Sequence, residues 1–336
     1  MKNRLISMLV LTTASFFLIT NAVLSQNVNY KIVKKISLSE QPRYDYLSID
    51  EKTQKLYVSN STSVHVINIT TLKSIGKIDD LNGVHGIAIV SDLNKGFISN
   101  GGNNTVTVFD LSTLKVIQTI KLNEKKPDAI VYEPYTTRIF TFNGGSSNAT
   151  AIDAKTNKVI GTVELGGSPE FSCSNEKGKM YVNLEDKSEV VCFDPKDLKV
   201  LSRWKLAPCE NPSAMAMDIA HNRLFIGGRN KLMVVVDALS GKVIQSLPIG
   251  AGVDASAFDN SQKLVFFSNR EGTITVIKEE TKDNYKVVNN IKTMEGARTM
   301  VLDKTNHLIF TSTVIDTQEK NGKKESTFGV LVLDNK

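Results

Sequence analysis

The segment Gly252-Val253-Asp254-Ala255-Ser256-Ala257-Phe258-Asp259 has six related versions elsewhere in the chain. Each version has a polar residue near its start, followed mainly by small or apolar residues. Aligning all seven on that residue gives one column: Asp45, His85, Asp128, Glu170, Ser213, Asp254 and Arg298. Successive members lie 40, 43, 42, 43, 41 and 44 residues apart. This period is typical of a propeller blade rather than of a helical solenoid, so the sequence predicts seven blades.

In the first six repeats, three further runs of strand length follow the column residue, and they are rich in β-branched and aromatic residues. In the second repeat these runs are 96–100, 106–110 and 115–120. Loops and turns rich in Gly, Asn, Ser and Asp separate them. We therefore predict an all-β fold, a seven-bladed β-propeller with four antiparallel strands per blade, as a single domain over residues 26–336.

The last repeat contains only three strand-like runs before the chain stops at Lys336. Segment 30–38, which precedes the first column residue, reads like the fourth strands of the other repeats. We expect it to pair with the third strand of the last blade. This pairing would close the ring and remove its exposed sheet edges.

Residues 1–25 differ from the repeats and resemble a secretory signal peptide. Lys2 and Arg4 precede an apolar run that is interrupted by Ser and Thr and is too short for a spanning helix. We expect cleavage before Gln26, a periplasmic or secreted protein, and no transmembrane segment afterwards. Removing the segment lowers the formal net charge from +6 to +4.

This mild positive charge implies no obligatory polyanion partner. The basic clusters lie in different blades and lack the interleaved aromatic residues that stack on single-stranded bases, so nucleic acid is not an expected partner. Three cysteines, Cys173, Cys192 and Cys209, are too few for a disulfide framework. We expect them to be buried free thiols in a monomeric protein.

A tetrapeptide recurs at the end of the second strand, as Tyr57-Val58-Ser59-Asn60 and Phe97-Ile98-Ser99-Asn100, with a shorter match at Phe267-Ser268-Asn269. In this feature the chain resembles the YVTN-repeat, YncE-like β-propellers of bacterial cell envelopes, over about residues 30–336. Blades four and five depart from the pattern, with Tyr181-Val182-Asn183-Leu184 and Phe225-Ile226-Gly227-Gly228. The resemblance implies the fold and leaves the function open, because this fold carries several unrelated activities.

In a propeller, every first strand starts beside the central channel, so the column should form a ring at one channel mouth. Six of its seven members are ionisable. They either solvate the mouth and cap strand ends, or bind a ligand, and we favour a ligand. Glu210 is a further candidate, and Arg229 and Arg270 are expected as secondary contacts. The predicted ligand-binding residues are Asp45, His85, Asp128, Glu170, Glu210, Asp254 and Arg298.

The carboxylates of this ring suit a hard cation, Ca²⁺ or Mg²⁺, and the candidate metal ligands are Asp128, Glu170 and Asp254. The sequence contains no zinc-ligand spacing, nucleophile turn, phosphate loop or dinucleotide fingerprint. The favoured hypothesis is an exported binding module, without enzymatic activity, that holds a small molecule or protein at the channel mouth. The alternatives are a metal-assisted lactone or ester hydrolase at the same site, and a protein-interaction platform that uses rim loops.

A second acidic column and a charged segment near the C-terminus are two further features of the sequence. Asp50, Asp218, Asp259 and Asp303 form a second column, which predicts turn residues on the opposite face. Segment 316–326 is charged and replaces a short loop of the other blades. We expect it to be a mobile flap over the channel mouth that modulates access.

Overall fold

Each sequence repeat forms one four-stranded antiparallel sheet, and the seven sheets form a closed β-propeller. The computed structural model describes residues 28–38, 44–320 and 323–335. The predicted fold class is therefore confirmed. The predicted signal peptide, residues 1–25, lies outside the described residues. Across the ranges that the structure describes, there is no helix with the length and apolar character needed to span a membrane.

The strands are numbered in chain order, and the first four blades take them in sequence. Blade one contains β2 (Tyr44–Asp50), β3 (Lys55–Asn60), β4 (Ser63–Asn68) and β5 (Lys73–Ile78). Blade two contains β6 (Val84–Val90), β7 (Lys95–Asn100), β8 (Thr105–Asp110) and β9 (Val116–Lys121). Blade three contains β10 (Pro127–Glu133), β11 (Arg138–Asn143), β12 (Asn148–Asp153) and β13 (Val159–Glu164). Blade four contains β14 (Pro169–Ser174), β15 (Met180–Leu184), β16 (Glu189–Asp194) and β17 (Lys199–Lys205).

Blades five and six follow the same order, and blade seven combines both ends of the chain. Blade five contains β18 (Pro212–Asp218), β19 (Arg223–Gly228), β20 (Leu232–Asp237) and β21 (Val243–Pro248). Blade six contains β22 (Val253–Asp259), β23 (Leu264–Asn269), β24 (Thr273–Thr281) and β25 (Asn284–Lys292). Blade seven contains β26 (Met300–Asp303), β27 (Leu308–Lys320), β28 (Lys323–Asp334) and β1 (Lys31–Ser37). Two single 3-10 turns, Ser91–Leu93 and Glu185–Lys187, interrupt the described strands.

The N-terminal strand closes the ring as predicted. β1 pairs antiparallel with β28, from Lys31 opposite Asp334 to Ser37 opposite Gly329. Ile36 is buried among core residues that include Phe328. The closing strand therefore contributes apolar contacts as well as backbone hydrogen bonds.

The hydroxyl in the second-strand tetrapeptide ties neighbouring blades together. Ser99 Oγ accepts a hydrogen bond from the Gly86 amide at 2.9 Å and donates one to the carbonyl of Asp128 in the next blade. In blade four, where Asn183 replaces the hydroxyl residue, its Nδ2 donates to the Ser213 carbonyl at 3.2 Å. The tetrapeptide thus positions the backbone of the following column residue, and the departing blade makes the same connection with an amide.

The second acidic column lies at the turns between first and second strands, as predicted. Asp50 is buried, and its Oδ1 accepts a hydrogen bond from the Lys52 amide at 3.1 Å. Asp259 likewise accepts from the Ser261 amide at 3.0 Å. These carboxylates satisfy the turn amides on the face opposite the predicted ligand site.

The segment predicted to be a mobile flap, 316–326, is strand-paired over its described residues, and its role in access to the channel mouth stays a prediction. The segment extends β27 and β28 into a regular two-stranded ribbon, with Asp316 opposite Thr327 and Gln318 opposite Glu325. Its charge does not prevent strand formation, because both faces of a two-stranded ribbon can remain in water. Glu319 also lies directly opposite Lys324, which places opposite charges across the two strands. The ribbon joins a second strand to a third, so it extends from the face that carries the column. The tip residues, 321 and 322, lie outside the described part.

The three cysteines are free thiols, as expected. Cys192 and Cys209 are buried, whereas Cys173 is half-buried with its Sγ 3.4 Å from the Met215 sulfur. Burial raises the pKa of all three thiols. These cysteines are therefore core residues rather than reactive nucleophiles.

Candidate functional site

The seven column residues form a ring at one channel mouth, here called the channel ring: Asp45, His85, Asp128, Glu170, Ser213, Asp254 and Arg298. Six of them interact in an unbroken series that runs through six blades. The distances are 3.2 Å for Ser213 Oγ to Asp254 Oδ1, 3.3 Å for Asp254 Oδ2 to Arg298 Nε, 3.6 Å for Arg298 Nη2 to Asp45 Oδ1, 2.6 Å for Asp45 Oδ2 to His85 Nδ1 and 3.6 Å for His85 Nδ1 to Asp128 Oδ1. The ring is therefore an ionic network.

Irregular strand pairing brings these side chains to the channel. In blades one to six the register shifts at the start of the first strand, for example between Tyr44 and Leu47 and between Val253 and Ala255. The column residue lies inside the shifted interval each time. A bulge of this kind bends the strand and redirects a side chain. At the bulges, the column side chains therefore do not have to follow the regular alternation between the two faces of the sheet.

Two aromatic residues close the channel beside the ring. Tyr46 and Phe171, each one residue after a ring member, come from blades one and four and meet with ring centroids 4.9 Å apart. Blades one and four lie on opposite sides of a seven-bladed ring, so this contact crosses the channel. Burial, followed by the charges of nearby carboxylates, raises the pKa of Tyr46 well above its ordinary value. The mouth is therefore a cup with an aromatic floor.

Glu170 is a ring member whose surroundings favour the neutral form of its carboxyl group. Burial, followed by the negative charges of Asp128 and Glu185, raises its pKa to about 9. Its neighbour Glu185 lies in the 3-10 turn after β15 and pairs with Arg229, with Oε1 2.7 Å from Nε. Glu170 can thus donate a hydrogen bond, whereas an ionised carboxylate can only accept one.

Asp128 and His85 also have pKa values that are shifted by their surroundings. Burial, opposed by His85 and supported by Asp45, raises the pKa of Asp128 to about 6. The hydrogen bond to Asp45 raises the pKa of His85. Perturbed groups that converge in a concavity are typical of binding or catalytic sites.

Three arginines from consecutive blades surround a small cavity at the edge of the ring, here called the arginine cleft. The cleft has a volume of about 70 Å³ and is lined by Arg229, Gly252, Val253, Asp254, Arg270 and Arg298. Gly252 has φ +70°, and a Cβ there would come within 2.9 Å of the Cβ of Arg270. A water occupies about 30 Å³ in the liquid, so the cleft can hold a group as large as a carboxylate.

The ionic partners of these arginines are unequal. Arg229 pairs with Glu185, and Arg298 lies between Asp254 and Asp45. Within residues 28–38, 44–320 and 323–335, no carboxylate forms an ion pair with Arg270. The mouth is thus cationic on the side of blades five to seven and acidic on the side of blades one to four.

Glu210 forms no hydrogen bond or ion pair with a channel-ring residue in the part of the chain that the structure describes. It is exposed at the rim, where its amide donates to Asn230 Oδ1 at 3.1 Å and its carbonyl accepts from the Arg229 amide at 3.0 Å. Glu185 supplies the additional carboxylate instead, and the sequence analysis missed it. Its position directly after the second strand of blade four was the available signal, because such loops lie on the ring's own face.

The structure does not group the predicted metal ligands Asp128, Glu170 and Asp254. Among the described residues of the ring, the ligand atoms that lie within 4.8 Å of one another belong to Asp45, His85 and Asp128. Asp254 forms an ion pair with Arg298 and accepts a hydrogen bond from Ser213.

Comparison with known proteins identifies the fold only. No family model matches the chain, and no curated protein does. The structure is similar to a chain of hydrazine synthase from Kuenenia stuttgartiensis, with a TM-score of 0.72 and 15% identity, covering 81% of this chain and 93% of that chain. It is also similar to U3-55K, with a TM-score of 0.74 and 8% identity, covering 90% and 98% of the two chains. At such low identity the likeness establishes the β-propeller and no activity.

Proposed function

We propose that this protein is an exported binding module of the YVTN-repeat type whose ligand is a small molecule with an anionic group. The ligand binds in the cup at the channel mouth, with its anionic group in the arginine cleft. The recurring tetrapeptide supports the family, and the features of residues 1–25 support export. The observation that carries the proposal is the convergence of Arg229, Arg270 and Arg298 on one cavity.

The charge distribution favours a polar ligand of limited size. The arginine cleft offers guanidinium donors, which bind carboxylates and phosphates through paired hydrogen bonds. Across the mouth, Asp45 and Asp128 can accept hydrogen bonds from the remainder of the ligand, and neutral Glu170 can donate one. The aromatic floor of Tyr46 and Phe171 limits how deeply the ligand can enter.

The proposal is tested by calorimetric titration with acetate, succinate, inorganic phosphate and glycine as probes. We expect at least one probe to bind the parent protein and Arg270→Gln to weaken it about tenfold or more. This follows because a hydrogen bond to a charged group contributes about 1.5–3 kcal/mol and 1.4 kcal/mol corresponds to tenfold. The control is Lys286→Gln, which removes an exposed charge from outer strand β25.

Two results would contradict this site. One is the absence of binding by all four probes, and the other is equal affinity in the parent protein and Arg270→Gln. Arg270 is exposed, so its substitution leaves the core intact and a loss of affinity reports on the cleft. Tolerance of every channel-ring substitution would instead favour a protein-interaction platform built on rim loops.

A second candidate function, metal-assisted hydrolysis of an ester or lactone, is favoured by the grouping of Asp45, His85 and Asp128. In this version the three residues would hold a divalent cation that polarises the substrate carbonyl. Here a divalent cation, added in turn as Ca²⁺, Mg²⁺ and Zn²⁺, should raise the melting temperature of the parent protein, because binding to the folded state alone adds about 2.7 kcal/mol at 100 times Kd. Asp128→Asn should reduce that response, and Glu210→Gln should keep it. A parent protein with no such response would exclude this cation site and the hydrolase with it.

A further inference from the structure

A second cluster of potential metal ligands lies on the face opposite the channel ring. Asp218 ends β18, His221 follows in the turn, and Glu279 belongs to β24 of the next blade. His221 Nδ1 lies 2.7 Å from Asp218 Oδ2 and 3.0 Å from Glu279 Oε1. Their ligand atoms all lie within 4.8 Å of one another. The cluster therefore joins blades five and six through one imidazole nitrogen.

The two carboxylates are buried, whereas the imidazole reaches solvent. The side chains of Asp218 and Glu279 are 1% and 3% exposed, and that of His221 is 37% exposed. Asp218 Oδ1 accepts hydrogen bonds from the amides of Ala220 at 2.9 Å and His221 at 3.3 Å. Its Oδ2 is thereby directed toward the imidazole, so the turn preorganises the cluster.

Glu279 is incompletely satisfied in this arrangement. Its Oε2 is buried and accepts no hydrogen bond from any residue that the structure describes. The nearest cationic group is Lys263 Nζ, at 3.9 Å. His221 Nδ1 can carry only one proton, and both Asp218 Oδ2 and Glu279 Oε1 lie within reach of it. A buried carboxylate with so little compensation is costly, and its presence here requires an explanation.

The geometry points to a divalent metal site of the zinc class, formed by Asp218, His221 and Glu279. A metal that replaces the shared proton would compensate both buried carboxylates at once. One imidazole nitrogen with two carboxylate oxygens suits Zn²⁺ better than Ca²⁺, which prefers oxygen ligands alone. Bond lengths of about 2.0–2.2 Å in a tetrahedron separate ligand atoms by about 3.4 Å, so the distances of 2.7 and 3.0 Å from His221 Nδ1 need to open by about 0.7 and 0.4 Å.

The exposed side of His221 leaves room for water as a fourth ligand. Asp218 also lines a cavity of about 430 Å³ together with Met217, Phe258, Asn260 and Lys304. The proposed metal thus lies beside a pocket that is separate from the arginine cleft. It would link two blades and mark a second ligand-binding surface on this face.

A pair that joins blades six and seven provides a matched control. His307 Nδ1 lies 2.6 Å from Asp259 Oδ2, in a pair that matches the Asp218 and His221 pair in contact and burial. Its histidine side chain is 33% exposed, and its aspartate is 1% exposed. No second carboxylate completes that pair within the described ranges. Comparing the two histidines therefore separates metal binding from an ordinary hydrogen bond in a turn.

The experiment is calorimetric titration of chelator-treated, untagged protein with Zn²⁺. We expect the parent protein and His307→Ala to bind Zn²⁺ with the same affinity and His221→Ala to bind more than about 100-fold more weakly. That loss exceeds the 10–100-fold effect typical of residues that only support a metal ligand. Glu279→Gln, which keeps the side-chain volume, should lose the same zinc, and circular dichroism should show that it is folded. His85→Ala, in the channel ring, should keep it.

Either of two outcomes would overturn this assignment. One is a parent protein that binds no Zn²⁺, and the other is unchanged zinc affinity in both His221→Ala and folded Glu279→Gln. If His221→Ala fails to fold, the result for Glu279→Gln alone decides.

Discussion

A protein that lacks residues 28–38 should fail to form a stable monomeric ring. The deletion removes β1 and leaves the hydrogen-bonding edge of β28 unpaired. It also removes Tyr30, Ile36 and Leu38, which are buried, and Tyr30 packs edge-on against Phe266 of blade six at 5.3 Å. Burial of one such side chain contributes about 1.5–3 kcal/mol, whereas a whole domain is stable by about 5–15 kcal/mol. The deletion should therefore remove most of the stability.

This expectation is checked by thermal unfolding and size-exclusion chromatography. Aggregation is expected because an exposed edge strand pairs with other chains. Two substitutions in β1 provide a graded control, since Ile36 is 7% exposed and Val33 is 47% exposed. Ile36→Ala should lower the melting temperature, and Val33→Ala should not. A deletion variant with the parent melting curve and monomeric elution would show that β1 is dispensable.

The closing strand shows why the fold is predictable from this sequence. Each blade needs four strands, and the repeats have a nearly constant period. The last repeat lacks one strand and the N-terminus has one extra strand, so the extra strand is expected to complete the last blade. The tetrapeptide was recognisable because its hydroxyl performs one local task, as Ser99 does for Asp128. Where several blades need the same hydrogen bond, the same residue types recur in the sequence.

The candidate site was less predictable, because its chemistry depends on residues from different blades. The column identified ring members, but the crossing of Tyr46 and Phe171 depends on which blades face each other. Glu185 lies outside the column and becomes part of the site only through Arg229 and Glu170. The metal prediction grouped carboxylates by their sequence positions. In the structure, Asp254 forms an ion pair with Arg298 instead.

The ribbon of β27 and β28 illustrates a different failure. Its charged composition was interpreted as a loop, although strand pairing needs only backbone groups and a tolerable set of cross-strand neighbours. Thr317 and Ser326, directly opposite each other, have hydroxyl oxygens 3.3 Å apart. In a ribbon with no buried face, amino-acid composition therefore predicts strand structure poorly.

Replacing Glu170 by Gln should stabilise the protein increasingly as the pH rises from about 5 to 9. Burial and neighbouring negative charges raise the pKa of Glu170 to about 9 in the folded protein, from an ordinary value of 4.5. Between these values the unfolded chain loses the proton while the folded chain keeps it. The folded state then binds more protons, so the free energy of unfolding falls as the pH rises. Gln keeps the size and the hydrogen-bond donor and has no proton to lose.

Urea unfolding at a series of pH values measures this difference. The parent protein and Glu170→Gln should have similar free energies of unfolding near pH 5. Toward pH 9 the variant should become more stable by about 1–3 kcal/mol, the usual cost of leaving a buried polar group uncompensated. Glu176→Gln, an exposed substitution in the same blade, should follow the parent protein throughout. If the curves of the parent protein and Glu170→Gln stay parallel from pH 5 to 9, Glu170 is ionised in the folded ring, and its proposed role as a hydrogen-bond donor to a ligand is wrong.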